Sequence, residues 1–277
     1  MKKSEKITII IISVLIIAAI VTGIVFAVIG IVKSNTPKKN PVATITVKNF
    51  GTMTVELYPD VAPDTVANFI TLANRGFYNG LKFHRIIKDF MIQGGDKSGN
   101  GSGSPSLSDL EDELTKEEQA ANRQLTDDYS IKGEFIANGF EKNTLKIEKG
   151  VIAMARSDYS SLNQTEAGYN SAGSQCFIMT GDEYSSLNGL YSGFGKLTEG
   201  YDVLESIASV PVTTASTDNN DSSSSNQEVS TPVDPPIIES ITVETYGVDY
   251  GKPTTLEPFN YYNYIMSQYS GSSTISE

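Results

Sequence analysis

The sequence predicts a mainly β protein: one domain whose short strands close into a barrel with two helices, set behind a single membrane-spanning helix. Three observations carry this. An uncharged apolar run fills residues 7–32, short alternating or wholly apolar runs recur from residue 41 to 247, and two segments between them read as helices. With 277 residues and 39% hydrophobic content the chain is long enough to bury a sizeable core.

The first six residues, MKKSEK, lead into ITIIIISVLIIAAIVTGIVFAVIGIV (7–32). As a helix these residues span about 39 Å, more than the roughly 30 Å hydrocarbon core of a bilayer. A secretory signal has an apolar region of about 7–15 residues and a small-residue cleavage site. This run is longer and no clear A-x-A site follows it, so it reads as a retained signal-anchor, with a cleaved signal as the alternative. Lys2, Lys3 and Lys6 precede the run and Lys33, Lys38 and Lys39 follow it, so flanking charge hardly sets its orientation. Residues 1–40 take six of the 21 basic and one of the 33 acidic residues, leaving 15 against 32 and a net charge near −17 beyond them. That sign argues against nucleic acid or anionic lipid as a partner, since both need Lys and Arg against phosphate. A large domain behind an N-terminal signal-anchor belongs outside the cytoplasm, so the expected location is the cell membrane, single-pass, with the domain extracytoplasmic. Cys176 is the one cysteine, which excludes an internal disulfide, and no Cys follows the apolar run to take a lipid. Anchor, acidic exported domain and absence of disulfides together suit a bacterium with a single membrane.

Residues 33–40 form a polar linker. ATITVKNFGTMTVELYP (43–59) alternates on both sides of a Gly51 turn, which is the pattern of two paired strands. In DVAPDTVANFITLANRGFYNG, Pro63 suits a first helical turn and Asp64 its positive end. Val66, Phe69, Ile70 and Ala73 repeat at helical spacing, and Gly76 is a natural stop. KSGNGSGSPSLSD (97–109) is a Gly/Ser loop and LEDELTKEEQAANRQLTDD (110–128) is acidic and helix-prone without a strong apolar stripe; together they make one exposed insertion, 97–128. KGVIAMARS, SQCFIMTG and SGFGKL read as buried strands, GYDVLESIASV (200–210) as the second helix, and Cys176 as a small buried hydrophobe. TTASTDNNDSSSSNQEVST (213–231) is a low-complexity excursion inside a second insertion, 211–235. PPIIESITVETYG supplies the last strand, and the Tyr-rich tail 248–277 is aromatic enough to pack on the domain.

The chemistry centres on FHRIIKDFMIQGGD (83–96), which holds the only histidine beside an arginine. Side chains alternate along a strand, so Arg85 is expected on the face of Phe83 and Ile87 with His84 facing away. A lone His in an apolar strand is usually structural. This stretch, with NSAGSQCFI (170–178), LNGLYSGFGKL (187–197) and the helix APDTVANF, resembles the cyclophilin family of peptidyl-prolyl isomerases from about residue 41 to 247. The resemblance implies an eight-stranded antiparallel β-barrel capped by two helices. It marks Arg85 as catalytic with Gln93 beside it, on the face of Met91. It places Phe90, Met91, Phe177 and Leu187 around the proline ring, and Ala155 and Gln175 beside the groove for the residues before proline. Each of the four apolar residues also fits plain barrel core.

An arginine suits such a reaction. The amide resists rotation by about 18–20 kcal/mol because nitrogen shares its lone pair with the carbonyl. No bond is made or broken, so no nucleophile, general base or cofactor is needed. A fixed guanidinium that hydrogen-bonds the proline unit and draws the lone pair out of conjugation favours the twisted amide. The chain also departs from the family pattern. It has no Trp, Ser186 and Tyr191 stand where many members carry Trp and His, Cys176 replaces a Phe, and Arg156 stands where many have Asn. Tyr191 can still close the pocket; the absent indole weakens the case for tight cyclosporin binding.

The expected function is thus proline isomerisation in exported polypeptides by a monomeric enzyme, its partners being proline-containing chains and, through residues 7–32, the membrane. The alternative is a non-catalytic module of the same fold that binds proline-containing segments or an envelope partner. One His and one Cys, without acidic residues at calcium-loop spacing, give no expected metal site.

Overall fold

The computed structural model describes residues 39–111, 128–214 and 228–271. The predicted anchor 7–32 and residues 1–6 lie outside these, as does nearly all of the linker and of the acidic stretch 110–128. Among the described residues no helix is long and apolar enough to cross a membrane. The chain divides into Met1–Lys39 and Asn40–Glu277, and everything below belongs to the second unit.

Strands β1 (Val42–Val47) and β2 (Gly51–Leu57) form the expected hairpin. Its turn uses Asn49 at φ 67 and Gly51 at φ 120, both in the left-handed region. Helix α1 (Pro63–Asn74) follows with Pro63 in its first turn and burial of Val66, Phe69, Ile70 and Ala73, as the spacing predicts. Next come β3 (Arg85–Ile87), β4 (Met91–Gly94), the two-residue β5 (Ser130–Ile131), β6 (Val151–Met154), a short α2 (Thr165–Tyr169), β7 (Cys176–Met179) and β8 (Gly193–Glu199). The chain ends with α3 (Tyr201–Ala208), β9 (Val212–Thr214), β10 (Val229–Pro232), β11 (Ile238–Glu244), β12 (Thr255–Leu256) and α4 (Tyr261–Gly271).

Eight strands form one curled antiparallel sheet in the order β11-β1-β2-β8-β6-β7-β4-β3. The expected closed barrel is therefore, in its ladders, a sheet with two ends. No ladder joins β3 to β11; the segments leading into them meet at the Lys82–Ile237 bridge, with Phe83 donating to Pro236 O at 2.9 Å, Ile238 N donating to Leu81 O at 2.8 Å and Gly80 N donating to Ile238 O at 2.8 Å. The reason is chemical: Pro235 and Pro236 carry no N–H, so past the bridge toward β3 this segment can accept hydrogen bonds but cannot donate the ones that would continue a ladder. The other edge of β11 is capped by a side chain. Asn74 of α1 accepts from Val243 N at 2.8 Å and donates to Val243 O at 3.3 Å, mimicking a strand neighbour.

Alternation along β4, β6 and β7 buries both faces, which is why VIAM and CFIM are apolar at every position. Ile92, Ile152, Met154, Cys176 and Ile178 point into the main core, under α1 and α3, with Phe69, Leu204 and Phe194. Met91, Val151, Ala153, Phe177 and Met179 form a second cluster on the opposite face with Phe90, Leu187 and Tyr191 packed against it. Burial of Phe69 alone contributes about 2–3 kcal/mol. Cys176 lies in the main core as expected, and burial pushes its thiol up to about 12.

Three expectations are revised. Phe83 does not share the face of Arg85: it lies in the main core with Ile86, because the ladder begins only at Arg85 and alternation does not extend back past it. The two ends of the predicted excursion 213–231 are strands, since Val212–Thr214 and Val229–Pro232 pair antiparallel as β9 and β10; its remaining residues, 215–227, lie outside the described residues. Among the described residues, two α-helices beyond the expected pair are present, α2 and α4. One of them, α4, belongs to the tail, which packs on the domain through β12 against β5, Phe259 on Tyr159 and Tyr264 Oη donating to Leu162 O.

Helix α1 has no side-chain cap of its own. Its N-terminal donors are met instead by Glu134, a buried carboxylate 69 residues away that accepts from Thr65 N at 2.8 Å and Thr65 Oγ1 at 2.7 Å, and from Asp64 N at 3.1 Å. Burial pushes the Glu134 carboxyl up, against those donors. Glu134→Ala strands them in the interior, and we expect a loss of about 2–4 kcal/mol, read from the shift in urea midpoint.

Candidate active site

The site is built on the second face of the sheet by cross-strand register. Arg85 pairs with Gln93 across β3 and β4, Gln93 with Phe177 across β4 and β7, and Phe177 with Ala153 across β7 and β6. Ile87 pairs with Met91 one step along. Successive residues on one face of adjacent strands thus form a row with a guanidinium at one end and apolar side chains at the other.

That row floors a cavity of about 140 Å³ lined by Arg85, Phe90, Met91, Gln93, Ala155, Arg156, Phe177, Leu187 and Tyr191. It is well below the roughly 300–1,000 Å³ of drug-sized pockets and suits one small ring. Its walls are held firmly. Phe177 and Tyr191 meet edge to face at 5.5 Å, and Phe90 packs against Tyr184 with the rings tilted and their centres 4.7 Å apart. Leu187 sits on a single turn, Ser185–Leu187, and Asn188 Oδ1 just after it accepts from Ile147 N at 2.7 Å.

The polar edge is a relay. Arg85 Nη1 faces Gln93 Oε1 at 3.4 Å and Met91 Sδ at 3.6 Å. Gln93 Nε2 donates to Gln175 Oε1 at 3.0 Å, and Gln175 Nε2 donates to the carbonyls of Gly101 and Gly103, both at 3.0 Å. Those glycines belong to the Gly/Ser loop, which Asp96 fastens by accepting from Ser98, Asn100 and Gly101 N–H groups. Gly95 before it has φ +86, and a Cβ there would stand 2.5 Å from Ser174 O, so the turn into this loop requires glycine.

Of the residues singled out from sequence, Arg85, Gln93, Phe90, Met91, Ala155, Phe177, Leu187 and Tyr191 surround this one cavity. Gln175 instead lines an adjoining groove of about 460 Å³ that shares Gln93, Ala155 and Arg156 with the first and is walled by the Gly/Ser loop and by Pro258 and Phe259 of the tail. Arg156, a departure from the family pattern, is built into the site: its guanidinium lies 4.8 Å from the Tyr191 ring and 5.0 Å from Tyr169, and it donates to Leu190 O and Ser157 O. A second residue escaped the sequence reading altogether. Glu228 meets Arg85 in a paired contact, Nε to Oε1 and Nη2 to Oε2, each 2.7 Å. Nothing local signals it, for it lies 143 residues away in a Ser/Asn-rich stretch. Among the described residues no cluster of three or more His, Cys, Asp or Glu is placed to hold a metal.

Residues 42–240 match the family model "Cyclophilin type peptidyl-prolyl cis-trans isomerase/CLD", and the chain belongs to that family. It is 37% identical over 153 residues to peptidyl-prolyl cis-trans isomerase B of Bacillus subtilis, covering 55% of this chain and 80% of that one. With the Arabidopsis thaliana isomerase CYP18-2 it shares 32% over 187 residues, 67% of this chain and 88% of the relative. A crystal structure of a Cryptosporidium parvum cyclophilin superposes with TM-score 0.53 at 26% identity, over 74% of this chain and 98% of the other. The same cyclophilin solved in the presence of the dipeptide Ala-Pro gives TM-score 0.52. The protein is thus a cyclophilin-type peptidyl-prolyl cis-trans isomerase, an enzyme acting on proline-containing peptides.

His84 takes no part in the cavity. It is buried, 8% exposed, does not line the cavity, and neither ring nitrogen has a hydrogen-bond partner among the described residues. Burial lowers its pKa, opposed by Asp96 and reinforced by Lys82 and Arg85. The unfolded chain therefore binds more protons as pH falls below about 6.5, and stability drops across the window from there to the lowered value. Asp96 acts only at lower pH: burial raises its carboxyl, but the three N–H groups and His84 bring it below its usual value. We expect His84→Leu to flatten the decline in urea midpoint between pH 7 and 5 while leaving isomerase activity at pH 7 at the wild-type level.

Proposed function

We propose that the chain is a membrane-tethered isomerase whose domain faces out of the cytoplasm and accelerates X-Pro isomerisation in exported polypeptides. The observation that carries the chemical part is the alignment of one guanidinium with one small apolar cavity. The ring of the substrate proline enters between Phe90, Met91, Phe177 and Leu187, and its carbonyl then lies within reach of Arg85. Donation from Arg85 to the proline unit strengthens as nitrogen leaves conjugation, so it lowers the barrier more than it stabilises either planar isomer. Gln93, tied to Gln175, holds the substrate backbone next to the same bond. The groove beside the pocket then takes the residues preceding proline, and in this chain the tail's Pro258 and Phe259 shape it.

The topological part rests on sequence. The uncharged run 7–32 exceeds the bilayer core in length, and the acidic domain behind it would be carried across. Labelling of single cysteines at residues 4 and 260, placed in a Cys176→Ala background, with an impermeant maleimide on intact cells tests this. Reaction at 260 alone supports the outward placement, and reaction at 4 alone refutes it.

The catalytic part is tested with residues 41–277 and a proline peptide cleaved only in its trans form. Arg85→Ala should lower the isomerisation rate by about 10²–10³-fold at matched folding. Arg85→Lys should restore only part of it, because a point charge replaces a planar fork. A folded wild-type domain without acceleration would instead mark a module that binds proline-containing segments.

A further inference from the structure

An arginine side chain has several rotatable bonds, so a guanidinium that must face one amide needs more than its own stem to hold its plane. Among the described residues, Arg85 meets inside the cavity only the long contacts to Gln93 Oε1 and Met91 Sδ, 3.4 and 3.6 Å from Nη1. The short contacts are outside it. Glu228 takes the Nε edge with two 2.7 Å bonds, the planar fork-to-fork geometry that fixes an arginine most strictly. Glu228 does not line the cavity, so it does not stand where a proline ring would sit. It precedes β10, which runs beside β3, and its carboxylate is also hydrogen-bonded by the buried Ser230 of that strand. The Arg85 bond holds the carboxyl below its ordinary value, against burial, so it is ionised at neutral pH.

The donors divide accordingly. A guanidinium has five N–H groups. Two are committed to Glu228, and the two on Nη1 are engaged only weakly, in the direction of the cavity. An exposed ion pair of this kind adds little to stability; what its geometry supplies is orientation.

We propose that Glu228 is a positioning residue for isomerisation, gripping the Nε edge of Arg85 from outside the pocket so that Nη1 stays aimed at the substrate carbonyl. This rests on the reading of Arg85 as the catalytic group. It assigns a role to the hairpin β9–β10: the second insertion brings a carboxylate to the rim of the site.

The test uses the full-length chain and an Ala-Pro tetrapeptide followed by NMR exchange spectroscopy, which reports the cis–trans exchange rate at saturation separately from peptide affinity. Arg85→Ala, Glu228→Ala and Glu228→Gln are compared at matched melting temperature. Glu228→Ala should slow saturated exchange by about tenfold with affinity unchanged, since the loss is one of alignment. Glu228→Gln, which keeps one acceptor oxygen, should fall between it and the wild type. Exchange at or above the wild-type rate in Glu228→Ala overturns the proposal, as does a parallel loss of rate and affinity, which would mark the residue as part of the hairpin's fold. Wild-type exchange in Arg85→Ala would refute the catalytic reading itself, whereas loss in Arg85→Ala with none in Glu228→Ala would refute only the role of Glu228.

Discussion

The pairing of β3 with β4 places Arg85 directly across from Gln93, and most of the site follows from that register. Continued through β7 and β6, it lines up Phe177 and Ala153 behind them, so charge, amide and apolar surface lie in one row across four strands. A slip of one residue would turn each of these side chains to the other face, where Ile86, Ile92 and Ile178 fill the main core. The two faces are therefore mutually enforcing. The isoleucines on one side cannot leave the core, and so the row that lines the cavity on the other cannot leave it.

Helices seal the face opposite the site and take their own support from far along the chain. Glu134 satisfies the start of α1, while Asn74 at its end closes the free edge of β11. Asn68, on the same helix, donates to Gly173 O and accepts from Tyr129 Oη, which fixes the segment leading into β7. Gln175 and Phe177 follow immediately, so a helix that never meets the cavity still helps to place two residues beside it. Buried polar groups of this sort are all-or-nothing: paired they define one arrangement, unpaired they cost more than an apolar replacement.

Both polar insertions reach the same few atoms. The first contributes the carbonyls of Gly101 and Gly103, which hold Gln175 and through it Gln93; the second contributes Glu228 to Arg85. The tail adds Phe259, packed at a tilt against Tyr159 and Tyr264, to the wall of the adjoining groove. Segments that read as decoration on a β-sheet domain thus frame its site from three sides.

What the sequence determined by itself is whatever depends on near neighbours. The alternation in 43–59, the apolar runs VIAM and CFIM, the spacing in α1 and the order of the motifs around Arg85, Phe177 and Leu187 all appear as local patterns, and the strands, the helix and the cavity lining follow them. What only the tertiary structure decided depends on partners distant in the chain. Glu134 lies 69 residues from Thr65, and Glu228 lies 143 from Arg85, with no periodicity to join them. The placement of Phe83 and the ends of the sheet belong here too, since both turn on where a ladder starts: at Arg85 on one side, and past two prolines without N–H groups on the other. Periodicity tells which face a residue occupies inside an element; it carries no information on where the element stops or what meets it there.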